Sequence, residues 1–162
     1  MQDILQDIQQ YNSQLTISQV VTFFGRKGLT VTKSMIQNYV RDGLLPPPIN
    51  KRHYTHKHLA ALALIDSLKT VYEMTAIKTV LLPFMDDEGI PLELYRECIR
   101  KTGEMATSWQ ENVAPVFSGE NLFLMAHSVD LKDEALERLS QERVVQGMTI
   151  QGGLEDEEAM PV

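Results

Sequence analysis

The sequence predicts a mainly α-helical fold: a helix-turn-helix closed by a small β-hairpin, then an α-helical C-terminal domain. Three observations carry this. Apolar residues recur at three- and four-residue steps along much of the chain. Two threonine-led helix starts, at Thr16 and Thr32, flank a glycine-bounded turn, Gly25-Arg26-Lys27-Gly28. A rigid run, Pro46-Pro47-Pro48, then precedes a basic tip, Asn50-Lys51-Arg52-His53, ahead of Tyr54.

Residues 1–14 form an N-terminal segment. It lacks the basic and apolar regions of a secretory signal. The first helix starts at Thr16, which has capping-box spacing to Gln19, with Leu15 and Val20 as a staple pair. It is expected to run to about Phe24. The second spans about 32–42. Thr32 caps it, Val31 and Ile36 form its staple, and Gly43 stops it by taking the left-handed conformation. The prolines forbid a restart, because they lack N–H donors and fix φ. Residues from about 46 to 54 are the expected hairpin wing.

The second helix divides into two faces. Met35, Ile36, Tyr39 and Val40 fall on one side, and Lys33, Ser34, Gln37, Asn38 and Arg41 on the other. The polar face carries no acid. It offers cations for phosphates and amides that can pair with base edges. Lys33 to Arg41 spans about 12 Å at the helical rise, a fit for one major groove. Taken alone, such a face is more often ordinary solvated surface. The turn before it and the basic tip after it shift the reading toward DNA.

Charge supports the same division. The whole chain has a net charge of −7. From Ser18 to His58 there are seven Lys or Arg against Asp42 alone, a net of +6. From Thr79 onward there are six against seventeen acids, a net of −11. A basic patch on a predicted helix-turn-helix is the electrostatic footprint of a nucleic-acid binder.

Thr55 is placed to cap a third helix, with Tyr54 and Leu59 as staple. Its run Leu59, Leu62, Ala63, Leu64, Ile65 and Leu68 is too continuously apolar for a surface helix. Thr75 is expected to cap the next, carrying Ile77, Val80 and Leu81. Pro83 and Asp86-Asp87-Glu88-Gly89 mark an expected boundary.

At this point a resemblance enters. The segments LTISQVVTFFG, MIQNYVRDGLLPPP, KRHYTHKHL and LALIDSLKTVYEMTAIKTVL, from about Leu15 to Leu82, resemble the N-terminal domain of the MerR family of bacterial transcription regulators. Tyr39, Arg41, Gly43 and Leu44 match the family pattern. Its Thr-Leu-Arg-Tyr-Tyr run is replaced here by Met35, Ile36, Gln37, Asn38 and Tyr39. Gln37 and Asn38 therefore depart from it. The wing's Arg-x-Tyr is present as Arg52-His53-Tyr54. The similarity is strongest to a subgroup with this N-terminal domain and an undefined helical C-terminal half. It implies a MerR-like winged helix-turn-helix at 15–85 that binds double-stranded DNA and regulates transcription. It further implies a homodimer, with a small-molecule effector or RNA polymerase as further partners. The expected DNA contacts are Lys33, Ser34, Gln37, Asn38, Arg41, Lys51, Arg52, His53 and Tyr54, with Gln37 and Asn38 as base readers.

Residues 90–146 read as a helical C-terminal domain for dimerisation or effector binding. A long amphipathic helix is expected from Ile90-Pro91 to about Val116, carrying Leu94, Tyr95, Cys98, Ile99, Thr102, Met105, Ala106, Trp109 and Val113 on one stripe. A dimer seam and an intrachain core explain that stripe equally well. Aromatics at Tyr95, Trp109, Phe117 and Phe123 read as core before they read as a ligand pocket. Leu122–Val129 is a short apolar piece, Leu131–Gln146 a further helix, and 147–162 an acidic, disordered tail.

Other functions find little footing. His53, His56 and His58 do not share one helical face, and no cysteine completes a metal set, so they read as wing and helix-cap residues near DNA phosphates. A single cysteine, Cys98, permits no intramolecular disulfide and reads as a buried thiol. No nucleophile elbow, phosphate loop or metal-hydrolase motif is present, so no enzyme, cofactor or metal is expected. No apolar run approaches the roughly 20 residues of a membrane span, and the expected location is the bacterial cytoplasm. Two alternatives remain: a protein-interaction module on a winged-helix scaffold without DNA binding, and a small-molecule sensor acting through the C-terminal half.

Overall fold

The N-terminal segment is built into the core. Ile4, Leu5 and Ile8 recur at helical spacing, and all three are buried. In the computed structural model, which describes residues 2–110 and 121–152, with side chains at 2–104 and 122–141, Leu5 and Ile8 bound a short helix, α1 (Leu5–Ile8), and Ile4 is its N-cap. The order continues with α2 (Ile17–Arg26), α3 (Lys33–Arg41), α4 (His56–Leu68), α5 (Met74–Leu81), a 3₁₀ turn (Leu82–Phe84), α6 (Leu92–Gln110) and α7 (Asn121–Gly152). The chain divides into two compact units, Met1–Val129 and Asp130–Val162.

The starts of α2 and α3 follow from their capping chemistry. Thr16 and Gln19 form the expected capping box: the Thr16 hydroxyl accepts from Gln19 N, and the Gln19 side chain accepts from Thr16 N at 2.8 Å. The Thr32 hydroxyl accepts from Met35 N at 3.1 Å. The three expected staple pairs, Leu15/Val20, Val31/Ile36 and Tyr54/Leu59, are all buried. The end of α3 follows from Gly43, whose φ is +74°. That conformation lets Leu44 N–H donate to Tyr39 O and Gly43 N–H to Val40 O, which satisfies two carbonyls left over by the helix. The same pair of bonds closes α2, from Leu29 to Phe24 and from Gly28 to Gly25. Here the structure corrects the expectation: α2 continues past Phe24 to Arg26, because Gly28 takes the positive φ and Gly25 stays helical.

The central helix is α4. His58 through Ile65 and Leu68 are all buried, as its continuous apolar run requires. α2, α3, α5 and α6 contribute Phe23, Phe24, Ile36, Ile77, Leu81, Tyr95 and Cys98 to the same core. The N-cap position of α5 is Glu73 rather than Thr75, and the Glu73 side chain makes no capping hydrogen bond. Thr75 lies within the helix and accepts from the Thr79 hydroxyl through its carbonyl. Residues 83–89 form the rest of the 3₁₀ turn and a tight turn bridged at Asp86 and Gly89. Ile90 N–H then donates to Lys57 O at the start of α4.

Two expectations about strands and the C-terminal half are corrected. No β-strand forms among the described residues; the anticipated wing is reduced to one bridge, Ile49 with His53. The prolines at 46–48 lack the N–H groups that would extend a ladder on that arm. In the C-terminal half, α7 is one continuous helix where an apolar piece, a separate helix and a tail from Gly147 were expected. No proline or glycine separates Val129 from Leu131. A lone Gly147 costs a helix about 1 kcal/mol without ending it. Residues 111–120 and 153–162, which include expected features at Val113, Phe117 and the acidic run, lie outside the described residues.

In the Met1–Val129 unit, Tyr95, Cys98 and Thr102 of the α6 stripe are buried in the intrachain core. The Tyr95 hydroxyl donates to Gln2 O at 2.6 Å, and burial, aided by Asp3, pushes that phenol far above its ordinary range. The N-terminal segment is thus held from α6, and from α2 through Arg26, which donates to the Tyr11 hydroxyl. Ile8→Val, which removes one buried methyl, should cost about 1 kcal/mol. A shift of the urea midpoint at unchanged slope measures it; no shift would mean the segment lies outside the cooperative core. In the second unit, Leu131, Leu136 and Leu139 are exposed.

Candidate nucleic-acid interface

The helix-turn-helix and the bridged turn together form one basic groove. Ile17 of α2, Gln37, Val40 and Arg41 of α3, and Pro48, Lys51, Arg52 and Tyr54 line it. Its volume is about 430 Å³, and no carboxylate stands among its lining residues. Of the nine expected contact residues, Gln37, Arg41, Lys51, Arg52 and Tyr54 converge here. Lys33, Ser34 and Asn38 are exposed on α3 without lining the groove. Asn38 lines a neighbouring groove with Tyr39, Met74 and Lys78.

The tip is set by its backbone. Ile49 N–H donates to His53 O at 2.7 Å, and His53 N–H and Arg52 N–H both donate back to Ile49 O at 3.1 Å. The three intervening residues turn through left-handed conformations at Asn50 (φ 52°) and Lys51 (φ 62°). Asparagine tolerates that region, whereas for lysine it costs roughly 1 kcal/mol. The turn holds the Lys51 and Arg52 side chains exposed. The arm behind the tip is fixed by a second bridge. Leu15 N–H donates to Tyr54 O at 2.8 Å, and Tyr54 N–H donates to Leu15 O at 2.7 Å. Tyr54 is only 5% exposed and forms the groove floor. Burial raises its phenol above the ordinary range. Tyr39 behaves alike: burial raises its phenol, opposed by Lys69 and reinforced by Asp66. Tyr54 therefore shapes this groove, and Tyr39 the neighbouring one.

One acid lies close by. Asp42 Oδ1 accepts from Arg41 Nε at 3.4 Å, with both side chains well exposed. An exposed pair of this kind is worth about 0–1 kcal/mol, so a phosphate can displace it. Lys78 Nζ donates to Asp42 O at 2.7 Å and so anchors α5 to the end of α3.

His53 is half-buried at the tip without lining the groove, while Arg26, Lys27, His56 and His58 take structural parts that the sequence did not reveal. In the helix-turn-helix turn, Lys27 pairs with Asp7, and Arg26 donates to the Tyr11 hydroxyl at 2.9 Å. His56 Nε2 lies 2.9 Å from Tyr11 O. His58, expected beside a DNA phosphate, is fully buried. Its Nδ1 accepts from Thr55 N–H at 3.0 Å, and its Nε2 lies 3.1 Å from both Pro46 O and Pro47 O. Thr55 and His58 therefore occupy the positions of a capping box, with an imidazole in place of the usual glutamate or glutamine. A signal for the N-terminal segment existed in the helical spacing of Ile4, Leu5 and Ile8. None existed for the Asp7–Lys27 pair, which joins residues twenty positions apart.

Among the described residues, no group of three or more His, Cys, Asp or Glu side chains could hold a metal ion. Among the same residues, no helix is long and apolar enough to cross a membrane. Residues 5–98 match the family model described as a domain of unknown function, DUF1836. That span exceeds half of the chain, and the chain belongs to this family. No curated protein and no solved structure matches the chain.

Proposed function

For a member of a family whose description names no activity, we propose a sequence-specific DNA-binding transcription regulator of MerR-like winged helix-turn-helix type. The observation that carries this reading is the convergence of Gln37, Arg41, Lys51 and Arg52 on one acid-free groove. α3 would enter the major groove and the basic turn would rest on the backbone. Lys33, Ser34, Arg41, Lys51 and Arg52 would hold phosphates, while Gln37 and Asn38 read base edges. The charge contrast of +6 over 18–58 against −11 beyond 79 supports one-sided docking. A homodimer is part of the same proposal, with the exposed Leu131, Leu136 and Leu139 as the surface available to a second copy. So is a place in the cytoplasm.

The test is an anisotropy titration with pooled genomic fragments at two salt concentrations, followed by sequencing of the bound fraction. An enriched two-fold-symmetric site with a steep salt slope is expected. No binding at low salt would overturn the reading. Within it, Gln37→Ala should remove about 1–3 kcal/mol of discrimination between the selected site and random DNA. Equal losses on both would assign Gln37 to the backbone instead.

A further inference from the structure

One imidazole touches both ends of the basic turn. The arm entering it passes through Pro46 and Pro47, whose carbonyls each lie 3.1 Å from His58 Nε2. The arm leaving it ends at Tyr54 and Thr55. The Tyr54 ring meets the His58 ring edge-on, with centroids 5.1 Å apart. Thr55 N–H donates to His58 Nδ1. These partners fix the tautomer: Nδ1 accepts and carries no proton, and Nε2–H faces two acceptors.

We propose that His58 is a positioning residue that clasps the two ends of the basic turn, so that protonating its ring releases the turn and weakens capture of a nucleic-acid backbone. The inference rests on the DNA-binding reading for its second half only. A proton on Nδ1 breaks the bond from Thr55 N–H and leaves the Thr55 hydroxyl, 3.1 Å away, to accept in its place. The backbone half of the α4 capping box is then lost, and the trailing arm at Tyr54 and Thr55 is left to its bridges with Leu15 and Ile49. The carbonyls of Pro46 and Pro47 still accept from the imidazolium, so the ring keeps the entering arm while its grip on the trailing arm weakens.

The direction in pH follows. Burial holds the ring below the ordinary histidine value of 6.5 while the clasp is closed; the Pro47 and Pro46 carbonyls, Glu88 and Asp86 oppose it. An opened clasp returns the ring toward that value. The open form therefore binds more protons as pH falls through 6.5, and acid favours opening. The ionisable groups around the ring are Tyr54 on the trailing arm, Lys57 beside it on α4, and Asp86 and Glu88 on the turn that packs there.

The test compares the full chain with His58→Gln, binding a labelled 25-base-pair duplex at pH 7.5 and 5.5 and constant ionic strength. Glutamine restores an ordinary Thr-x-x-Gln capping box and does not titrate in this range. Wild-type affinity should fall by at least about fivefold on acidification, and the variant should hold within about twofold. His53 and His56 are present in both proteins, so their contribution cancels. Parallel pH profiles would overturn the proposal. NMR of the wild-type chain supplies the second readout. The His58 ring and the amides of Lys51, Arg52 and His53 should titrate with one midpoint below 6.5. Amides that ignore the ring overturn the clasp. Coupled titration without DNA binding at either pH keeps the clasp and removes the DNA reading.

Discussion

Gly89→Ala should lower the melting temperature by about 10 °C or more, equivalent to a loss of roughly 3–5 kcal/mol for a chain of this size. Gly89 has a φ of +132°, a conformation that residues with a Cβ rarely adopt. The space is also closed. An added Cβ would lie 2.4 Å from Lys57 O, 2.6 Å from Lys57 C and 2.9 Å from His58 N. All three are backbone atoms of the first turn of α4, the most buried helix of the fold. The turn cannot back away cheaply. Asp86 N–H donates to Gly89 O at 2.9 Å, Ile90 N–H donates to Lys57 O at 3.2 Å, and Lys57 Nζ pairs with Asp86 at 2.7 Å. That pairing also lowers the Asp86 carboxyl below its usual range and raises Lys57. Gly103→Ala is the matching control. It lies within α6, and its added Cβ would meet nothing within 4 Å. There the exchange should raise stability by about 0.5–1 kcal/mol, because alanine is the better helix former. Melting curves of the two variants decide the matter. A Gly89→Ala midpoint within a few degrees of wild type would show that the turn is not locked against α4.

The contrast between these glycines shows what the sequence could and could not reveal. Gly28 and Gly43 follow amphipathic helices, and their roles could be read from local pattern. The same holds for Thr16, Thr32, Gln19 and the continuous apolar run of α4. Gly89 stood in an acidic stretch that read as punctuation between domains. Its constraint comes from Lys57, more than thirty positions away, and no local pattern records that approach. The candidate groove divides in the same way. The polar face of α3 was visible as a helical stripe, and Lys51 and Arg52 as a basic tip. Their meeting depends on the bridge from Leu15 to Tyr54, a tertiary contact. His58 was misplaced because spacing alone cannot tell a cap facing inward from one facing solvent. The continuity of α7 was missed for a different reason: a polar pair at Ser128 and Asp130 interrupts an apolar pattern without interrupting a helix. The wing is shorter than expected because the missing proline N–H groups, which bar a helical restart, also bar a ladder on that arm.

Arg41→Ala combined with Arg52→Ala should weaken binding by about 10–100-fold on every duplex, specific or random, if each arginine holds one phosphate. Both side chains are exposed and both line the groove, Arg41 from α3 and Arg52 from the bridged turn. Neither supports the core, so melting temperature should stay within a few degrees of wild type. The salt dependence is the sharper readout. Each phosphate contact contributes about −0.9 to the slope of log affinity against log salt, so the double variant should be shallower by about 2. Arg41→Ala also frees Asp42 from its weak partner and leaves an unopposed carboxylate beside the groove. The Arg41 variant should therefore lose somewhat more than the Arg52 variant. Asp42→Asn should recover part of that difference, because it removes the repulsion without restoring a contact. The pattern separates two explanations of the groove. Arginines that hold phosphates give a reduced slope and uniform losses across sequences. A groove that serves a protein partner leaves DNA affinity and slope unchanged in all of these variants, and its basic side chains then answer to an acidic surface in place of a nucleic acid.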